Sequence, residues 1–161
     1  MVTLLKTDDV LEILDLVKDP EIPVVSVRDM GIIRRIEEAG GRLKIVITPT
    51  YSGCPAMEVI ERDIAAMLKL HGLKDFDVET EISPAWTTDW ITEEGRRKLQ
   101  EYGIAPPANS SKAALLGHET VACPQCGSPD TVLVSEFGST ACKALYKCND
   151  CLETFDYFKC V

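Results

Sequence analysis

Apolar residues change period several times along the chain, and each change marks an element. Val10, Leu11, Leu14 and Val17 recur at helical spacing between Thr7 and Lys18, with Asp8, Asp9, Glu12 and Asp15 mostly on the remaining face. This predicts an amphipathic helix whose early aspartates suit its positive end and which Pro20 stops. The stretches 32–38 and 42–48 are strand-like, with Leu43, Ile45 and Ile47 on one side of the pleat, and Gly40-Gly41 between them predicts a hairpin. Helical spacing returns over 55–70, where Met57, Ile60, Ile64, Met67 and Leu68 point inward and Gly72 closes the run. Phe76, Val78, Thr80 and Ile82 then alternate with Asp77, Glu79 and Glu81, as a strand with one wet face should. Thr92 is placed to cap a short helix through Leu99, ending near Gly103.

The order helix, hairpin, helix, strand, helix predicts a small domain of α/β (α+β) class with a mixed sheet over residues 1–105. Ala105-Pro-Pro-Ala-Asn-Ser-Ser-Lys112 has linker composition, which sets a linker at 106–120. Beyond it, 131–135, 144–147 and 154–158 read as short antiparallel strands of a third segment, 121–161. That segment is too short to bury a self-sufficient core, so it needs a cross-link.

Composition narrows the function. The 161 residues carry no apolar run near the about 20 residues of a membrane span. The opening MVTLLKTDDVLEIL lacks a basic start and a cleavage site, so the expectation is a cytoplasmic protein away from membranes. The net charge of −9 leaves neither part of the chain basic, which argues against nucleic acid as a partner. Seven cysteines in a reducing compartment point to metal rather than to disulfides.

Cys123-Pro-Gln-Cys126 and Cys148-Asn-Asp-Cys151 carry the most specific chemistry. Each C-x2-C pair puts two thiolates on a tight turn, and two such turns close a tetrahedron around one ion, with structural zinc as the first reading. A redox iron or iron-sulfur site is the competing one. Rubredoxin-type iron knuckles usually carry glycine after both pairs, whereas Gly127 follows the first pair here and Leu152 the second. Cys142 and Cys160 are alternative ligands should one of the four not bind; otherwise they are small buried hydrophobes. His118 would be a ligand only in place of a cysteine.

Cys54 is a separate candidate. It lies where the second strand ends and the second helix begins, with Pro55 suited to the first helical position. Unpaired N–H groups there favour a thiolate, which predicts a lowered pKa and a role in metal binding or nucleophilic attack; a buried cysteine covering the helix start is the equal alternative. Asp19-Pro-Glu-Ile-Pro23 holds acidic side chains on a stiff turn that could ligate metal or form a docking edge, though as an isolated motif a plain solvated turn explains it better. Trp86 and Trp90 either pack in the core or form a partner-binding patch. His71 sits where a helix C-terminus would favour it. The sequence holds no Ser-His-Asp set, P-loop or G-x-G-x-x-G, hence no complete active site.

Together, Asp19-Pro-Glu-Ile-Pro23 and Thr48-Pro-Thr-Tyr-Ser-Gly-Cys54-Pro55 resemble the two signature stretches of the SufT-like metal-sulfur cluster assembly domain, over about the first 105 residues. That resemblance implies a role in iron-sulfur protein maturation, a transient iron or iron-sulfur cargo at the functional thiol Cys54, and Asp19, Thr48 and Thr50 as its neighbours. The added ribbon, with Ala85–Leu99, Tyr102–Pro107 and Gly138–Tyr146, resembles the PaaD-like family of subunits of bacterial phenylacetyl-CoA epoxidase, a multicomponent monooxygenase of aerobic phenylacetate breakdown. It implies a non-catalytic accessory subunit that assists maturation of the oxygenase or reductase subunits. A structural docking subunit and a redox carrier using the four-cysteine site are the alternatives. Self-association as a homodimer stays open.

Overall fold

Gly40 and Gly41, in the computed structural model that describes residues 6–107 and 120–159, take φ of +60° and +77°. A two-residue hairpin turn with both central residues at positive φ is what glycine permits at little cost. It joins β1 (Ile33–Ala39) to β2 (Arg42–Ile47), which pair antiparallel with Ala39 opposite Arg42. α2 (Ala56–Leu70) then returns the chain so that β3 (Phe76–Thr80) lies parallel to β2, with Leu43 opposite Phe76. The sheet is therefore mixed, in the order β1-β2-β3.

α1 (Thr7–Leu14) is shorter than the apolar spacing predicts. Its end tightens, since the Leu16 and Val17 N–H groups donate to Ile13 and Leu14 three residues back, and Lys18 then bridges to Ser26. The buried stripe is accordingly Val10, Ile13, Leu14 and Val17, and Leu11 is only half-buried. Ile60, Ile64 and Leu68 of α2 and Ile45 and Ile47 of β2 complete the core of this part. Ion pairs Arg35–Glu81, Arg42–Asp77 and Lys44–Glu79 decorate exposed positions of the same sheet. They follow from the charged half of the alternation in β1, β2 and β3.

Trp86 closes this part of the chain. It is 4% exposed, and its indole N–H donates to the Met30 carbonyl at 2.8 Å. This corrects the reading of Trp86 as a partner-binding residue, because a buried aromatic with its one donor satisfied belongs to the core. Trp90 is half-buried.

The chain divides into two compact units, Met1–Trp86 and Thr87–Val161. In the second, Thr92 caps α3 (Glu93–Glu101) by accepting the Gly95 N–H at 3.0 Å. Arg96 of α3 donates to the carbonyls of Pro107 and Thr88 at 2.6 and 2.8 Å. A four-stranded sheet follows in the order β4-β7-β6-β5, formed by β4 (Ile104–Ala105), β5 (Thr131–Ser135), β6 (Lys143–Cys148) and β7 (Thr154–Phe158). β5, β6 and β7 are antiparallel, whereas β4 runs parallel to β7 with Ile104 opposite Asp156. Residues 87–105, which composition assigns to the first domain, thus lie within the second unit. Its core is Ala105, Val121, Cys123, Ala144, Cys148, Phe155 and Tyr157. Most of the linker expected at 106–120, together with His118 and Cys160, lies outside the described residues. Among the described residues no helix is long and apolar enough to cross a membrane.

Candidate metal centre and functional thiol

The two C-x2-C turns are built alike. The Cys123 N–H donates to Ser128 O and the Cys148 N–H to Glu153 O, each at 2.9 Å and each spanning five residues. The residue after each pair is left-handed, Gly127 at φ +77° and Leu152 at φ +66°. Leucine therefore adopts the backbone that glycine adopts in the first turn, at a cost of about 1–2 kcal/mol. The missing second glycine, which set this chain apart from iron knuckles in sequence, leaves the backbone of the turn unchanged.

This pairing of turns brings four sulfurs together. The Sγ atoms of Cys123, Cys126, Cys148 and Cys151 all lie within 4.8 Å of one another. Cys123–Cys151 and Cys126–Cys148 are 3.7 and 3.6 Å apart. A tetrahedron with Zn–S bonds of about 2.3 Å has edges of about 3.8 Å, so the spacing fits one tetrahedral ion.

Backbone donors are already aimed at the sulfurs. The Cys151 N–H, followed by that of Asp150, brings the Cys148 thiol down to about 7. The Ser128 N–H acts in the same sense on Cys126 and the Glu153 N–H on Cys151, yet burial and the neighbouring thiols still push Cys151 up to about 12. One thiol of such a group ionises readily, and its charge opposes the rest. Full ionisation needs a cation in the middle, which is the chemistry of a metal-binding donor set. Cys142 does not join these four; it is buried and its Sγ lies 3.0 Å from Thr140 Oγ1.

Cys54 sits where the sequence places it, just before α2, with Pro55 as the N-cap. The Cys54 N–H donates to Tyr51 O at 3.2 Å, and its carbonyl accepts the Met57 N–H at 3.3 Å. The expected lowering of its pKa is not found. Half-burial pushes the thiol up, as do the carboxylates of Glu21 and Asp19, and these outweigh hydrogen bonds from the Ala56 N–H and the Tyr51 side chain. A helix start supplies too little to offset desolvation and two acidic neighbours.

Asp19 reaches this place because its own turn is rigid. Its Oδ1 accepts the N–H groups of Glu21 and Ile22 at 2.8 and 3.0 Å, and its N–H donates to Val25 O at 2.9 Å. Ser26 and Asp29 brace the same loop, exchanging backbone-to-side-chain bonds at 3.0 Å. Thr48 is buried and ties its N–H to Ile32 O at 2.9 Å, and Thr50 is half-buried. Neither threonine is among the hydrogen-bond partners described for Cys54. Glu21 and Tyr51 are neighbours that sequence reasoning did not single out. Both lie within the two signature-like stretches; Tyr51 is three residues before Cys54 in the same turn, whereas the influence of Glu21 comes through loop packing.

Comparison with known proteins agrees with this two-part organisation. Residues 7–80 match the family described as iron-sulfur cluster assembly protein, and residues 107–159 match the PaaD zinc beta ribbon domain. A Porphyromonas gingivalis protein named Fe-S protein maturation auxiliary factor is 32% identical over 94 residues, 57% of this chain and 89% of its own length. Among solved structures, a hypothetical protein of Thermotoga maritima superposes with a TM-score of 0.52 at 28% identity, covering 62% of this chain and 98% of the other. A domain of unknown function from Bacillus anthracis, at 21% identity, covers 57% of this chain and 89% of its own with a TM-score of 0.53, and shares the fold. An Escherichia coli (strain K12) protein, provisionally described as a subunit of 1,2-phenylacetyl-CoA epoxidase, is 48% identical over 153 residues, 95% of this chain and 92% of its own length. A likeness at that level across both units places the chain in one family: it belongs to the PaaD family of 1,2-phenylacetyl-CoA epoxidase subunits, an iron-sulfur cluster assembly domain followed by a zinc ribbon.

Proposed function

We propose that this protein is a cytoplasmic maturation factor of a phenylacetyl-CoA epoxidase system, one that helps load iron or an iron-sulfur cluster into the oxygenase or reductase subunit and takes no part in the epoxidation itself. The observation that carries this reading is the half-buried thiol of Cys54, under the electrostatic influence of Asp19 and Glu21, in the domain that matches iron-sulfur cluster assembly proteins. The thiol feels the negative charge of both carboxylates, and a cation arriving there would offset the burial and acidic neighbours that keep it protonated. Delivery also benefits from that poise. A ligand that regains its proton readily lets the metal go, whereas a fully ionised four-thiolate site holds it. The ribbon, on this reading, keeps one zinc ion as a structural clasp.

The experiment assembles the metal-free oxygenase and reductase subunits with iron and sulfide in the presence of wild-type protein or Cys54→Ser. Iron content and turnover of both clients are then measured. Wild type is expected to raise them and Cys54→Ser to fail while retaining its zinc. Equal loading by the two proteins would remove Cys54 from the mechanism.

A further inference from the structure

β5 is an edge of the second sheet among the described residues, and it is unguarded by charge. Its residues are Thr131, Val132, Leu133, Val134 and Ser135, with no charged side chain and no proline. Val132, Leu133 and Val134 are 45, 49 and 55% exposed, and Phe137 just beyond is 62% exposed. Successive strand residues face opposite sides of a sheet, so both sides of this edge are apolar and wet. Natural edges are usually blunted by lysine, proline, an inward charge, short length or a bulge. Here a register slip at Val134 bends the strand, and no charge accompanies it.

Leu133 also continues the apolar layer of the unit outward. It lies opposite Tyr146 in β6, which lies opposite Phe155 in β7. Tyr146 packs on Phe155 and Tyr157 at centroid distances of 6.0 and 5.5 Å. Among the described residues the layer stops at Leu133.

We infer that the missing strand is β5 of a second copy of this chain, paired antiparallel about Leu133 in a two-fold homodimer. The sequence of the edge is self-complementary in that arrangement. Leu133 meets its own counterpart, Val132 meets Val134, and Thr131 meets Ser135. These β-branched and hydroxyl pairings favour cross-strand association, and a two-fold interface uses one patch on both partners. The ends complement each other as well. Asp130, held by the Asn149 amide at 2.8 Å, and Asp150, held by Ser128, make the start of β5 acidic. At the other end Lys159 sits 4.4 Å over the Phe137 ring and donates to the Glu136 carbonyl. Antiparallel pairing carries Lys159 of each copy toward Asp130 and Asp150 of the other, offsetting the approach of Glu136 to Asp130.

This interface goes beyond the maturation role and does not involve Cys54. The test is sedimentation velocity of the zinc-loaded full chain from about 1 to about 200 µM, a range in which a reversible dimer shows as a concentration-dependent mass. Wild type and Cys54→Ser are expected to reach twice the chain mass. Leu133→Lys is expected to weaken association at least tenfold, and Lys159→Glu to weaken it several-fold, both with unchanged zinc content and circular dichroism. Amide exchange of β5 should slow as wild-type concentration rises, and not in Leu133→Lys. A monomer at every concentration would overturn the inference, as would a dimer indifferent to both substitutions. Concentration-independent protection of the β5 amides would assign the edge to another part of the same chain, with the same effect.

Discussion

The Cys54 thiol shows how local position and tertiary environment can pull in opposite directions. A cysteine before a helix favours the thiolate, and the Ala56 N–H is there to do so. Half-burial and the carboxylates of Glu21 and Asp19 prevail, and the folded chain holds the proton more tightly than the unfolded chain. The sign of the linkage follows. The neutral thiol favours the folded state below the unfolded thiol value of about 8.5, and this contribution is lost as pH rises through the raised value. Alkylation of Cys54 by iodoacetamide, followed by peptide mass spectrometry, should therefore have its midpoint above that of a free thiol. Glu21→Gln should move the midpoint down, and Asp19→Asn should do so with the turn kept, because the amide oxygen can still accept the Glu21 and Ile22 N–H groups. A midpoint below about 8.5 in wild type would show that the helix start, and not burial, governs the site.

At the scale of elements, the two knuckles carry the same backbone with different residues at the left-handed position. No atom outside the chain neighbours lies within 4 Å of a Cβ built on Gly127, so replacing it incurs backbone strain and little crowding. Gly127→Leu should thus copy the situation at Leu152 and destabilise the zinc-loaded ribbon by about 1–2 kcal/mol. Leu152→Gly should stabilise it by up to about 1 kcal/mol, less than the strain released because glycine gains freedom in the unfolded chain. Denaturant midpoints of the zinc-bound protein measure both. Equal midpoints for wild type and Leu152→Gly would mean that the turn relaxes away from positive φ in solution. The capped helix α3 and the hairpin between β1 and β2 were legible at this scale, since Thr92 and Gly40-Gly41 act through local geometry. β4 was not, because Ile104 and Ala105 have no pattern of their own and become a strand only by pairing with β7.

For the whole molecule, the two units differ in what holds them. The first buries a continuous apolar core between α1, α2 and its sheet, and the second surrounds a smaller cluster that includes Cys123 and Cys148. A small core leaves the second unit dependent on its metal. We expect chelation, or Cys148→Ser, to abolish cooperative unfolding of the second unit and to leave the transition of the first within a few degrees of its original position. Calorimetry with and without chelator reads both transitions, and far-ultraviolet circular dichroism should lose the signal of α3 and of β4 to β7 while keeping that of α1, α2 and β1 to β3. Loss of both transitions together would mean that the units fold as one.

The sequence by itself determined the order helix, hairpin, helix, strand of the first unit, the four cysteines that come together, the hairpin turn and the position of Cys54. Each is written in local terms, as a period, a spacing or a turn residue. Tertiary structure alone decided that Trp86 is core, that α3 and β4 lie in the second unit, and that the charge of Glu21 acts on Cys54. The physical reason is common to all three. Burial, desolvation and parallel pairing are set by residues distant in sequence, and no local pattern encodes which distant residue will arrive.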